Sequence, residues 1–206
     1  MRTVSYEEFL KFEPCWLMDA DGRKKLERIG KRKERWTALD VLDLPEEEVS
    51  DRDKRWAVLR EEFIEPEILH EFACRCAEDA LKGVENPDPR SLAAIDAKRK
   101  WLREEIGDEE LVRAQDAATA AARDAVTVAD WAAAWAAAEA SDLDTQCAVW
   151  NASSYIPRQI PLLRELLEQG GTETTPAKRF QGGGEEGPFE EKTSDLQEVM
   201  NYDNEM

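Results

Sequence analysis

The sequence has one histidine, four cysteines and no long uncharged apolar run. Each scarcity excludes something. Cys15, Cys74, Cys76 and Cys147 are too few and too scattered for the disulfide framework of a secreted domain, which points to a reducing cytoplasm. No apolar stretch approaches the roughly 20 residues that a membrane-spanning helix needs. The start, Met-Arg-Thr-Val-Ser-Tyr-Glu-Glu, lacks the apolar centre of a signal peptide, so a cytoplasmic chain without membrane attachment is expected. Asn151-Ala152-Ser153 matches a glycosylation triplet of a kind common by chance. No alternating apolar and polar run is bounded by turn residues, so no strand is expected. Gly182-Gly183-Gly184 opens no helix and therefore makes no phosphate cradle.

Acid is what the chain has in excess. Its 46 acidic side chains against 28 basic ones give a net charge of −18 over 206 residues. Such a charge disfavours general attraction to nucleic acid or to anionic membrane, and it attracts basic surfaces. The balance reverses locally. Residues 22–35 hold eight cations (Arg23, Lys24, Lys25, Arg28, Lys31, Arg32, Lys33, Arg35) against Glu27 and Glu34. That local +6 leaves −24 over the rest of the chain. The stretch reads as a solvated helix face or as an internal counter-surface for the acids. The sharper alternative is a nucleic-acid patch, although no aromatic residue inside it is available to stack on bases.

The architecture is organised around residues 66–81. At 100° per residue, Leu69, Phe72, Ala73, Cys76 and Ala80 share one stripe, and His70, Cys74, Ala77 and Leu81 form a second beside it. Only Glu67, Glu71, Arg75 and Glu78 make a polar arc. A helix apolar on two sides must be covered on two sides, so it is the expected central post of a helical bundle.

Around it the sequence punctuates further helices. Ser5 caps a short helix through Phe12; Pro14 stops it, and residues 15–18 form an apolar plug followed by a turn at residues 19–22. Residues 36–44 and a helix from Ser50 or Asp51 through Ile64 precede the post. Asp88 or Ser91 caps the helix after it. Residues 109–140, dominated by alanine, predict a long helix or a pair bent near residues 126–128. Cys147, Trp150 and Tyr155 fall on a last bundle helix interrupted by Pro157 and Pro161, with a final turn or two over residues 162–167. From Gly171 the composition predicts a disordered tail of nine acids and three bases. The expectation is an all-α multi-helix bundle over residues 3–170 and a disordered acidic tail over residues 171–206.

No catalytic constellation emerges. His70, Cys74 and Cys76 invite a zinc reading, but on one helix Cys76 lies about 160° around the axis from Cys74, so both thiols cannot grip one ion. A nucleophilic Cys74 with His70 as base needs an exposed thiolate, and both residues face the expected core. Cys74 and Cys76 are expected to be structural and metal-free, and no cofactor is expected. Trp16, Trp36, Trp56 and Trp101 read as core and groove anchors; any that are exposed on an acidic surface are candidate contact points for a partner.

The block from His70 to Leu81, then residues 88–95 with Arg99 and Trp101, then the alanine-rich helix, resembles a helical family of immunity proteins of bacterial toxin systems, common in phage genomes. The likeness covers roughly residues 56–140. The opening Tyr6-Glu7-Glu8-Phe9-Leu10 with Pro14-Cys15-Trp16 is similar to its longer phage members. The early end of the alanine-rich run, residues 155–161 and the glycine-rich tail depart from it. The resemblance implies neutralisation by binding, with no catalytic residues.

Two functional readings follow. The first is a non-enzymatic acidic inhibitor, immunity-type or phage anti-defence (anti-CRISPR-like). It binds and blocks a basic partner protein such as a nuclease, with nucleic-acid mimicry as one route. The second is a nucleic-acid or nucleoprotein binder acting through residues 22–35. The partner-contact residues expected from these readings are Trp16, Trp36, Arg28, Lys31, Arg32 and Lys33.

Overall fold

The computed structural model describes residues 2–145, 148 and 159–169. The expected helix around Cys147, Trp150 and Tyr155, the break at Pro157 and the tail over residues 171–206 lie outside the described residues. Among the described residues the chain is helical apart from one minimal ladder. In it β1 (Val4–Ser5) pairs antiparallel with β2 (Arg35–Trp36), Val4 opposite Trp36. This ladder corrects the expectation of no strand. It is two residues long on each side, which is why no alternating run announces it.

The first helix, α1 (Tyr6–Leu10), starts at Ser5, whose hydroxyl accepts the Glu8 amide while the Glu8 carboxylate accepts the Ser5 amide. A 3₁₀ turn (Cys15–Met18) follows. Asp19, expected in a turn, is instead the N-cap of α2 (Ala20–Gly30): one carboxylate oxygen accepts the amides of Asp21 and Gly22. Gly22 is required there, because a Cβ would collide with the Trp16 carbonyl. Trp36 belongs to β2 and not to a helix. The next helix, α3 (Ala38–Leu42), begins one residue after Thr37, which forms a second capping box with Asp40.

Helix α4 (Asp51–Val58) is capped by Ser50 and stops six residues earlier than expected. Leu59 leaves the helical region with ψ 62°, and Phe63 and Ile64 turn into the core. Glu65 must then be extended, since it precedes Pro66. The central post is α5 (Pro66–Lys82), with proline at its first turn. Its buried residues are Leu69, His70, Phe72, Ala73, Cys74, Cys76, Ala77 and Leu81, drawn from both expected stripes. Asp88 caps α6 (Pro89–Leu102). The alanine-rich region is a pair, α7 (Asp108–Asp124) and α8 (Val128–Ala140), broken at residues 125–127 where Thr127 caps the second helix. The last described helix is α9 (Gln159–Gln169). Pro161 does not break it, because it occupies the first turn, where no intrahelical amide bond is lost.

Helix α8 packs against α5, α6 and α7, and α9 packs against α5 and α3. One apolar cluster joins side chains from Val4 in β1 to Leu167 in α9, with seven of its buried members supplied by α5. No described helix is long and apolar enough to cross a membrane.

Candidate partner-binding site

Of the expected contact residues, Trp16 and Trp36 line one cavity of about 70 Å³, and Arg28, Lys31, Arg32 and Lys33 do not. Tyr6 and Phe9 of α1, Cys15 and Trp16 of the 3₁₀ turn, and Leu26, Ile29 and Gly30 of α2 form one side. Trp36, Val41, Leu44, Val49, Trp56 and Phe63 form the other, with Asp53 at its edge. Gly30 leaves room for the Tyr6 ring, which a Cβ would strike. The Trp36 indole is buried and donates to the Gly30 carbonyl at 3.3 Å, closing the cavity floor. Trp16 is half-buried on the rim, with Lys25 Nζ 5.1 Å from the centre of its ring. Of the two tryptophans, only Trp16 is placed for contact from outside.

Half of the eight cations of the basic segment are held closely by the molecule's own acids. Lys31 pairs with Glu27, Arg32 with Glu48, Lys33 with Asp40, and Arg35 with Glu8 and the Thr3 hydroxyl. The pairing is mutual. Hydrogen bonding to Lys31 lowers the Glu27 pKa, and hydrogen bonding to Arg32 lowers that of Glu48. Arg28 is exposed and has no ion pair with any described residue, although with Lys25 it contributes to the lowered pKa of Glu48. Arg60 is also turned inward, stacked on Phe12 at 4.8 Å and Trp56 at 4.4 Å.

The chemistry-bearing residues of α5 are elsewhere and sealed. His70, Cys74 and Cys76 are fully buried. Burial, aided by the charge of Lys98, pushes the His70 imidazole down to about 3. Burial pushes the Cys74 thiol up to about 12 and that of Cys76 up as well. His70 Nε2 faces Thr145 Oγ1 at 3.2 Å, and its ring meets Trp101 edge-on at 5.7 Å. Lys98 is itself buried, donates to the Asp142 carbonyl, lies 4.1 Å from the Trp101 ring centre, and is pushed down to about 8 by burial. Cys74 and His70 are both closed off from solvent, so neither the thiol nor the imidazole is open to a substrate in this structure. No group of three potential metal ligands comes together among the described residues.

On the outside of the same helix, Arg99 of α6 clamps two acids of α5. Its Nε and Nη2 each reach Glu71 at 3.0 Å, and its Nη1 and Nη2 reach Glu78. Arg75 adds a bond to Glu71 at 3.1 Å. Glu71, Arg75 and Glu78 stand out in the sequence only as a polar arc, and Arg99 only within the block that carries the family resemblance.

Apolar side chains stand far into solvent in two places. Met18, 87% exposed, ends the 3₁₀ turn that gives Cys15 and Trp16 to the cavity, and a second group lies where α7 gives way to α8. Val126 is 94% exposed and Val128 83%, at the tip between α7 and α8, with Trp131 43% exposed one turn on. Trp131 stacks on Trp135 with ring centres 6.0 Å apart and planes 12° from parallel. Trp131 and Trp135 lie one turn apart in the sequence, and that spacing does not reveal which face of α8 the bundle leaves open.

No family model, no curated protein and no solved structure matches this chain. The likeness to immunity proteins rests on the sequence blocks alone.

Proposed function

We propose that this chain is a non-enzymatic binding protein that engages a basic protein partner, as an immunity-type or phage anti-defence inhibitor does. The observation that carries this reading over nucleic-acid binding is the fate of the cations. Lys31, Arg32, Lys33 and Arg35 each hold a carboxylate of the same chain. Phosphate contacts would have to displace those carboxylates, against a net charge of −24 over the rest of the chain. The acid surplus meanwhile remains at the surface, as in the exposed Asp108, Glu109 and Glu110 at the start of α7.

Elsewhere the signs are interleaved, as in Arg2–Glu65, Arg90 with Asp88 and Asp124, and Arg103–Glu105. Mixed signs of this kind support electrostatic steering of a basic protein more than imitation of a phosphate row. The tip formed by Val126, Val128 and Trp131 supplies an apolar anchor of the kind that carries binding energy at the centre of an interface. Soluble operation in the cytoplasm belongs to the same reading.

The experiment is a mobility-shift titration with duplex DNA and RNA, beside affinity measurement on a basic partner captured from the native host. The reading expects no shift at physiological salt and a loss of partner affinity in Trp131→Ala. Tight binding to bare duplex, abolished by neutralising Lys31, Arg32 and Lys33, would transfer the function to the basic segment.

A further inference from the structure

We propose, resting on the basic-partner reading, that the aromatic-lined cavity receives one lysine side chain of that partner, its aliphatic end among the rings and its ammonium group on Asp53. The rings of Tyr6, Phe9, Trp16, Trp36, Trp56 and Phe63 line the cavity, and Asp53 is the one charged residue among the described residues of the lining. Asp53, Trp56 and Ala57 stand three and four positions apart on α4, so the carboxylate belongs to the helix face that lines the cavity. The Ser50 hydroxyl donates to Asp53 Oδ2 at 2.7 Å. No cation among the described residues pairs with this half-buried carboxylate. An uncompensated carboxylate beside aromatic faces favours a cation and disfavours an anion. The chain's own cations follow the same preference at the outside of this wall. Lys25 lies 5.1 Å from the Trp16 ring centre and Arg60 4.4 Å from that of Trp56, and neither lines the cavity.

Size narrows the choice. A cavity of roughly 150 Å³ encloses a benzene ring, so 70 Å³ admits no whole ring and holds about three heavy atoms. The end of a lysine side chain, Cδ, Cε and Nζ, matches that space, whereas the planar guanidinium group of arginine exceeds it. Cys15 lines the cavity and is exposed, so the space is reached from solvent. The exposed Met18, at the end of the same 3₁₀ turn, offers the partner an adaptable apolar surface beside the entrance. The contact uses none of the residues of the tip at Val126, Val128 and Trp131.

The test titrates the full isotope-labelled chain with capped Gly-Lys-Gly, Gly-norleucine-Gly and Gly-Arg-Gly peptides at about 0.15 M salt. Indole N–H signals report on the cavity through Trp36 and Trp56, and on the rest of the molecule through Trp101 and Trp131. The lysine peptide should shift the first pair and not the second, with a Kd at least about fivefold below those of the other two peptides. Asp53→Asn keeps an acceptor for the Ser50 hydroxyl and should remove that margin. Glu47→Gln takes the same charge from an exposed residue outside the lining and should preserve it. A norleucine or arginine peptide bound as tightly as the lysine one, a margin that survives Asp53→Asn, an equal loss in Glu47→Gln, or shifts spread over all four indoles would each overturn the proposal. So would n-butylamine bound as tightly as the lysine peptide, which would assign the cavity to a free amine. A captured basic partner that binds Asp53→Asn undiminished would overturn the lysine contact alone, whereas tight duplex binding through Lys31, Arg32 and Lys33 would overturn the basic-partner reading with it.

Discussion

His70 Nε2 and Thr145 Oγ1 lie 3.2 Å apart in a part of the core where both side chains are buried. The contact joins the central helix to the segment after α8, and it places the chain's one histidine where a proton is costly. The folded imidazole titrates near 3 against an ordinary value of 6.5. Between these values the unfolded chain binds the proton and the folded chain does not. Stability is therefore full above pH 6.5 and falls as the pH drops toward 3. At pH 5 the loss is about 2 kcal/mol, from 1.36 kcal/mol per unit. Urea unfolding at pH 7.5 and pH 5 measures it. The carboxylates with lowered values, such as Glu8 and Glu27, start from 4.5, so their contribution is lost mainly below the pH 5 arm of the measurement. A His70→Gln variant should lose most of the slope; an equal slope would place its origin elsewhere.

Phe72 is wholly buried on the central post. Phe72→Ala should cost about 3–5 kcal/mol, combining lost transfer energy with a cavity that the surrounding helices cannot fill. Chemical denaturation reads it directly. A midpoint unchanged by the substitution would mean that α5 is not what the bundle packs around.

That post was the most legible part of the sequence, because a helix apolar on two sides has only one kind of environment. The cap at Ser5 was legible for a similar reason, a short polar side chain ahead of an apolar period. The sequence left Ser50 open against Asp51 and Asp88 against Ser91, and the structure selects Ser50 and Asp88. The errors lie where tertiary packing overrides a local signal. Asp19-Ala20-Asp21-Gly22 has turn composition yet starts a helix, because the Asp19 carboxylate caps the amides of Asp21 and Gly22, and the glycine is there for the close Trp16 carbonyl. Phe63 continues the helical spacing of α4, but the turn before Pro66 aims it into the core. The candidate site was legible only as a set of residue types. Pairing of Lys31, Arg32 and Lys33 with Glu27, Glu48 and Asp40 spans up to sixteen positions, and periodicity along one helix does not reveal it.

The cysteines should separate sharply in reactivity. Cys15 is exposed, whereas Cys74 and Cys76 are buried with thiols held protonated above their ordinary value of 9. Alkylation at pH 8, mapped by peptide mass spectrometry, should mark Cys15 within minutes and reach Cys74 and Cys76 only on unfolding. Metal analysis of the untagged protein should find no stoichiometric zinc. Zinc that disappears in Cys74→Ser would contradict the structural role of both thiols.

Glu104 holds a left-handed conformation, φ 60°, just past the end of α6. Its amide donates to the Trp101 carbonyl at 2.9 Å, and the Glu105 amide donates to the Lys100 carbonyl at 2.9 Å, the bond pattern of a helix closed by a left-handed residue. Glycine meets no Cβ penalty there. Glu104→Gly should stabilise by about 1 kcal/mol, raising the melting temperature by roughly 2–4 °C for a chain of this size. A lower melting temperature would show that the Glu104 side chain contributes more than its backbone costs.

The central claim is that surplus acid draws in a basic partner, and the association rate tests it most directly. The charge outside residues 22–35 sums to −24, a field that raises encounter rates at low salt. The Debye length shrinks from about 10 Å at 0.1 M salt to about 3 Å at 1 M, which removes that field while leaving buried apolar anchors intact. Surface-plasmon kinetics against the captured partner should show the association rate falling at least about tenfold across this range, with dissociation changing much less. An association rate independent of salt would contradict the account.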